Sequence, residues 1–191
     1  MAIVTLLGSV VLGVSLAASC GLRAFLPLFV LGVAARLGLV DLGESFAWLS
    51  AAPALLALGV GVGCELLADK VPVLNHLLDV LATPVRAAAG MLVCAAALVD
   101  MPLWVVALLA IIVGGGVALA VHVAKSGVRA SSTLATAGAS GPAHSMLEDA
   151  LCLLASVLSV VFWVMALVIA AVGLALFGWS ARAVIRRLTA R

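Results

Sequence analysis

The stretch PLWVVALLAIIVGGGVALAVHV, residues 102–123, contains no Asp, Glu, Lys or Arg and is bounded by Pro102 and by His122 with Lys125 just beyond. A bilayer hydrocarbon core about 30 Å thick takes about 20 helical residues to cross, so this run reads as one complete membrane span. Gly114-Gly115-Gly116 in its middle marks a place where another backbone approaches or the helix loosens. The same character extends outward along the chain. Of the 191 residues 66% are apolar and 9% charged, against roughly 45–50% and about 25% in soluble domains. That composition excludes a soluble globule, and the length admits about five to seven spans with no separate soluble domain. Ten Lys plus Arg against eight Asp plus Glu leave a formal charge of +2, too balanced for a nucleic-acid binder.

Upstream, Ile3 to Ser19 is uncharged and is interrupted at Cys20-Gly21-Leu22-Arg23. Without a positive N-terminal region it reads as a retained first span rather than a signal peptide. Ala24 to Val40 carries Pro27 and Arg36 and is expected to be kinked or partly inserted. Asp41 to Ser50 is expected to be a loop, after which Pro53 opens a third span containing Gly59, Gly61 and Gly63. A break at Val71-Pro72, a short helix from about Pro72 to Ala82 and a new helix started by Pro84 follow, the last carrying Arg86 near its beginning and forming span four. Downstream of the quoted stretch, Lys125 to Ser145 is a polar region rich in hydroxyls. Met146 to Phe177 is a run longer than one span requires, and the basic tail 181–191, with Arg182, Arg186, Arg187 and Arg191, is expected to be cytoplasmic. Cys20, Cys64, Cys94 and Cys152 stand singly in apolar runs and read as small core residues, not as a zinc site or disulfides. Trp48, Trp104, Trp163 and Trp179 are candidate interface markers.

Ionisable residues within apolar spans are costly, and they face a cavity, pair, or mark a pathway. Three clusters qualify. Glu65, Asp69 and Lys70 lead into a short segment on which Asn75, His76, Asp79 and Thr83 share a face; the simpler reading is anchoring at the headgroups. His122, Lys125 and Arg129 recur at helical spacing before Ser131, Ser132 and Thr133, a set suited to gripping phosphate or carboxylate. Its simpler reading is a cytoplasmic loop obeying the positive-inside rule. His144, Glu148 and Asp149 form the third, with the alternative of a helix N-terminus capped by Ser145. Similarity between Gly21-Leu22-Arg23-Ala24 and Gly127-Val128-Arg129-Ala130 suggests a duplicated half, with repeats over 1–100 and 101–180. Inverted repeats would place broken helices and a ligand site near the midplane.

The chain resembles a bacterial family of small membrane proteins, the domain of unknown function 4126 family. The residues that carry the resemblance are Gly21-Leu22-Arg23-Ala24-Phe25-Leu26-Pro27, Glu65 with Asp69-Lys70-Val71-Pro72 and Asp79, then His122, Lys125, Arg129, Ser132-Thr133 and Glu148-Asp149. Asn75 departs from that pattern at a place where related chains often carry an acidic residue. The resemblance covers nearly the whole chain and implies no activity. A looser similarity, at Phe25-Leu26-Pro27 and Ser126 to Ser132, is to the undecaprenyl-phosphate recycling family, and it motivates a hydroxyl-lined basic cavity that accepts a phosphate head group.

These readings combine into an all-α polytopic transmembrane bundle with broken or re-entrant helices, in the bacterial inner membrane. Arg23, Lys125, Arg129, Ser132 and Thr133 are the expected binding residues for an anionic or lipid-phosphate substrate. Glu65, Asp69, Lys70, His76, Asp79, His122, Glu148 and Asp149 are the expected proton-coupling or ion residues. The alternatives are a divalent-cation transporter or channel using Glu65, Asp69, His76 and Glu148, and a scaffold or partner subunit whose charges only pair with one another. Expected partners are membrane lipids, the substrate and other copies of the chain. No cofactor is expected, and no nucleophile and base are set at a recognisable catalytic motif.

Overall fold

The computed structural model describes the backbone of residues 2–68, 75–136 and 141–161 and the side chains of 6–68, 82–128 and 145–161. The described residues form helices and no strand, in agreement with an all-α fold. Helix α1 (Ala2–Leu22) ends where a second helix, α2 (Phe25–Arg36), begins. Pro27 explains the break: it removes the N–H that would bond the Arg23 carbonyl four residues back, yet sits harmlessly in the first turn of α2. Helix α2 closes with Gly38 at φ 70°. The Gly38 and Leu39 N–H groups bond the carbonyls of Ala35 and Ala34, both at 3.0 Å, the Schellman arrangement that favours glycine.

The segment expected as a loop at 41–50 is instead partly folded into a 3-10 helix, Glu44–Ser50. Leu49 is fully buried there, and its carbonyl lies against Gly32 so closely that a Cβ on Gly32 would come within 2.7 Å of it. Burial of one leucine and this backbone contact hold the segment on α2, which a polar reading of its sequence does not reveal. Helix α3 (Ala52–Ala68) follows at a bend of 66°. Gly59 and Gly61 lie against Phe29 and Phe25 of α2, and Leu56, Val60 and Leu67 are exposed.

Helix α4 runs without interruption over Asn75–Ala97. The expected separate helix ending near Ala82 and restart at Pro84 is therefore corrected: Pro84 lies inside one helix. A proline forfeits a single intrahelical bond, and packing of the helix beyond it offsets that loss. Ala87, Ala89, Val93, Cys94, Ala95, Ala96 and Ala97 are all buried, chiefly against α1 and the following hairpin arm. That arm is α5 (Leu103–Leu109), a π-helical turn (Ala110–Gly115) and α6 (Gly116–Thr136). The π turn falls at the glycine triplet. A Cβ on Gly90 would meet the Gly114 carbonyl at 2.7 Å, and one on Gly114 the Gly90 carbonyl at 2.6 Å. Both expectations for the triplet, loosening and close approach, hold. Helix α6 also continues past Lys125 to Thr136, so the first part of the expected polar region is helical.

Helix α7 (Gly141–Val161) packs beside α1, which also contacts α4 and α6. Buried Ser15, Ser19, Ser156 and Ser159 line these helices. Each hydroxyl donates to a carbonyl of its own helix, as Ser156 does to Cys152 at 2.7 Å and Ser159 to Ala155 at 2.6 Å. The serines thus serve as small, internally satisfied packing residues. Cys20, Cys94 and Cys152 are buried as expected, whereas Cys64 is exposed. It sits on α3, a helix with no buried residue.

Among the described residues one continuous helical stretch, Leu103–Val128, is long and apolar enough to cross a bilayer, and the bent pair Glu44–Ser50 and Ala52–Ala68 passes the same test jointly. Leu6–Leu22, Phe25–Arg36 and Ala82–Ala97 are shorter apolar helices.

Candidate functional site

The break between α1 and α2 leaves two unsatisfied helix ends facing each other. The last carbonyls of α1 carry partial negative charge and the first N–H groups of α2 partial positive charge. Side chains of opposite sign meet each end. The Glu65 carboxylate, projecting from the C-terminal part of α3, accepts the Ala24 N–H at 2.9 Å on one oxygen and the Phe25 N–H at 3.2 Å on the other. On the carbonyl side, the Lys125 ammonium donates to Leu22 at 2.9 Å. Arg86 makes a long contact of 3.5 Å to the Gly21 carbonyl.

Arg23 stands in the break itself, 1% exposed. Its guanidinium donates to the Glu65 main-chain carbonyl at 3.3 Å and to the Ser145 hydroxyl at 3.1 Å, and pairs with Asp149 at 2.5 Å. One turn of α7 therefore supplies both the Asp149 carboxylate for Arg23 and the Glu148 carboxylate for Lys125, the second at 2.8 Å. Lys125 and Glu148 are the more enclosed pair, with side chains 5% and 9% exposed, against 23% for Asp149. Three helical elements, α1, α6 and α7, are cross-linked here by charge.

Beside this lies a second polar contact between α4 and α6. Arg86 Nη1 lies 2.6 Å from His122 Nδ1, and Thr83 Oγ1 lies 3.0 Å from His122 Nε2. A guanidinium can only donate, so Nδ1 accepts and the imidazole is neutral with its hydrogen on Nε2, directed to the threonine oxygen. His122 in this arrangement holds no extra proton, and it orients Arg86 toward the α1 end.

Of the residues expected to form a central polar site, Arg23, Glu65, Lys125, Glu148 and Asp149 come together around the break, and His122 adjoins them. Asp69 and Lys70 lie outside the described residues. His76, Asp79, Arg129, Ser132 and Thr133 lie on described helix backbone, in α4 and α6, but their side chains lie outside the described residues, as does that of His144. Ser145 lies inside α7 rather than at its start, and its oxygen serves Arg23 instead of capping. The sequence places Arg86 near the beginning of the helix that Pro84 is expected to start and gives it no role at the site. An arginine within the apolar run 84–99 is itself the signal. Thr83 was placed on the polar face of the preceding segment, although nothing in its spacing linked it to His122. Among the described residues no group of three or more His, Cys, Asp or Glu is placed to hold a metal ion.

Comparison with known proteins yields a family assignment alone. No curated protein and no solved structure matches the chain, so the looser likeness to undecaprenyl-phosphate recycling proteins is not shown. The model of the family described as Domain of unknown function (DUF4126) matches residues 10–183, and the chain belongs to that family.

Proposed function

We propose that this is a polytopic inner-membrane protein of transporter type, in which the polar core at the α1–α2 break binds an anionic or phosphate-bearing group and couples its passage to protons. The observation that carries the reading is the buried Arg23, placed in a helix break and paired there with the Asp149 carboxylate. Helix ends at a discontinuity are where transporters coordinate charged substrates and coupling ions. A membrane setting is supported by the distribution of side chains. Leu56, Val60, Leu103, Trp104, Ile111, Ile112, Val123, Leu151 and Leu154 are exposed, while Arg23, Arg86, His122, Lys125 and Glu148 are buried. That ordering suits lipid outside and a polar pathway inside. About five to seven spans in two repeats, with a cytoplasmic C-terminus, complete the topology.

The mechanism starts from competition. Asp149 and an incoming carboxylate or phosphate both seek the Arg23 guanidinium, which binds such oxygens in a forked geometry. An anion that displaces Asp149 takes over Arg23 and the Ser145 hydroxyl, and in this reading the proton coupling falls to the acidic residues and histidines around the break. Arg129, Ser132 and Thr133 further along α6 extend the same binding reading. Inorganic phosphate and a soluble short-chain phosphatidic acid test it by thermal shift. Both ligands should stabilise the wild type, and neither should stabilise Arg23→Gln. Equal shifts in that variant would remove Arg23 from the site.

A second reading is favoured by a different observation: in this state Arg23 and Lys125 each face a carboxylate. The charges would then serve only to hold the bundle, and the protein would be a scaffold or partner subunit. Under that reading, charge-neutral pairs fold but neither phosphate nor phosphatidic acid stabilises the wild type at any pH. A divalent-cation transporter has less support, because Glu65 is engaged by two backbone N–H groups and Glu148 by Lys125.

A further inference from the structure

We propose that the π-helical turn Ala110–Gly115 is the positioning element of the polar core: by taking in one residue more than an α-helical turn, it rotates α6 so that His122 and Lys125 point into the α1–α2 break. This deepens the reading of the break as the protein's site and rests on it. From position 106 to position 125 is 19 steps along one continuous helical stretch. At about 100° per step, an uninterrupted α-helix would set Lys125 about 100° and His122 about 160° around the axis from Val106. Yet Val106, Ala110, Ala118, His122 and Lys125 are all buried. A π turn closes its hydrogen bond on the fifth residue instead of the fourth, so one residue is added without advancing the helix. The 18 steps that remain make about five complete turns of 3.6 residues, which returns Lys125 to the direction of Val106, with Ala118 about 20° and His122 about 60° away.

The outer face obeys the same count. Trp104, Leu108 and Val123 are exposed, and a Cβ on Gly116 or Gly127 would meet nothing within 4 Å. With the added residue allowed for, these five positions fall about 160–200° from Val106, opposite the buried set. The turn itself is held by α4. Gly114 meets the Gly90 backbone, and a Cβ on Gly115 would come within 2.7 Å of the Met91 side chain. Arg86, one turn before Gly90 on the same helix, receives what the turn delivers: His122 at 2.6 Å. One turn further along α6, Lys125 reaches Glu148 at 2.8 Å and the Leu22 carbonyl at 2.9 Å. The glycines therefore do more than permit close packing; the turn they accommodate sets which side chains of α6 the break receives.

The test changes the residue count at the turn and reads the Lys125–Glu148 contact. In full-length protein in mixed micelles, the coupling between Lys125→Met and Glu148→Gln is measured as a fold-change in the unfolding equilibrium constant. Three backgrounds are compared: wild type, deletion of Ile112, which is exposed within the turn, and insertion of one alanine after Ile112. The buried pair should give a coupling of about 100-fold or more in wild type. Deleting Ile112 leaves a plain α-helix of about five turns between Val106 and Lys125, so this protein should fold and keep its coupling within about threefold of wild type. The insertion turns α6 by about a further 100°, and the coupling should fall to the roughly twofold scatter of independent sites. A deletion protein that does not fold or loses the coupling overturns the proposal, as does an insertion that keeps it; an insertion that does not fold leaves the decision to the deletion. Neither phosphate nor phosphatidic acid takes part in the measurement. Loss of binding at Arg23 with this coupling pattern intact would therefore remove the substrate reading alone, and the reverse would remove the positioning alone.

Discussion

Replacing Lys125 and Glu148 singly and together gives the most discriminating stability experiment. Their side chains are 5% and 9% exposed and 2.8 Å apart, so neither charge can turn to water when its partner is removed. Lys125→Met leaves the Glu148 carboxylate facing a thioether, and loss of one member of a buried pair costs about 3–5 kcal/mol. Glu148→Gln leaves an ammonium that still donates to the Leu22 carbonyl, so it should fall toward the lower end of that range. In the double variant no uncompensated charge remains, and Met fills much of the lysine volume. Its stability should return to within about 1–2 kcal/mol of wild type, because replacing both members of a buried pair by neutral groups is often nearly neutral. The interaction energy of the cycle is then at least about 3 kcal/mol, well above the scatter of about 0.5 kcal/mol seen for independent sites. Reversible unfolding in mixed micelles, followed by tryptophan fluorescence, measures all four corners. Additive losses in the double variant would refute the pairing and the burial from which the magnitude is worked.

Other outcomes follow from packing and access. Gly90→Ala places a methyl 2.7 Å from the Gly114 carbonyl and should cost about 1–3 kcal/mol or more. Gly116→Ala, with nothing within 4 Å, should be neutral or stabilising by up to about 1 kcal/mol; equal thermal shifts for the two would contradict the helix contact. Cys64→Leu, on an exposed face of α3, should be neutral within about 0.5 kcal/mol, whereas Cys94→Leu, packed against Gly13 and Gly114, should cost about 1–3 kcal/mol; equal thermal shifts for the two would contradict the packing. Thr83→Val should cost about 1 kcal/mol through the lost His122 contact, and the loss should vanish in a His122→Leu background; additivity would show that the 3.0 Å contact does not couple them.

Much of the helical order was legible because long apolar runs, glycines and prolines punctuate the chain. Pro27 and Gly21 mark the break that became the centre of the site, and Gly114–Gly116 marks the loosened turn. Pro84 misled, since a proline's local cost does not report the packing of the helix beyond it. The 3-10 segment 44–50 was hidden because its one buried anchor, Leu49, looks like any leucine. At the site, the sequence leads one to expect Arg23, Lys125 and Arg129 facing Glu65, Asp69, Glu148 and Asp149 as a group; the pairs Arg23–Asp149 and Lys125–Glu148 are not legible in it, because which cation meets which carboxylate depends on helix rotation. Glu65 shows the same limit: its carboxylate meets two backbone N–H groups, partners that carry no side-chain signature. Arg86 and Thr83 join through His122, a contact across 39 residues of chain that no local spacing announces.

The central claim, that Arg23 is shared between Asp149 and an anionic substrate, is tested most directly by native mass spectrometry of full-length protein released from nanodiscs containing phosphatidylglycerol and polyprenyl phosphate. Wild type, Asp149→Asn and Arg23→Gln are compared on the same lipid mixture. Asp149→Asn removes the competing carboxylate, and the account predicts that it retains more of one phosphate-bearing adduct than wild type, while Arg23→Gln retains none. The same adduct pattern in all three proteins, or no adduct in any, would contradict it.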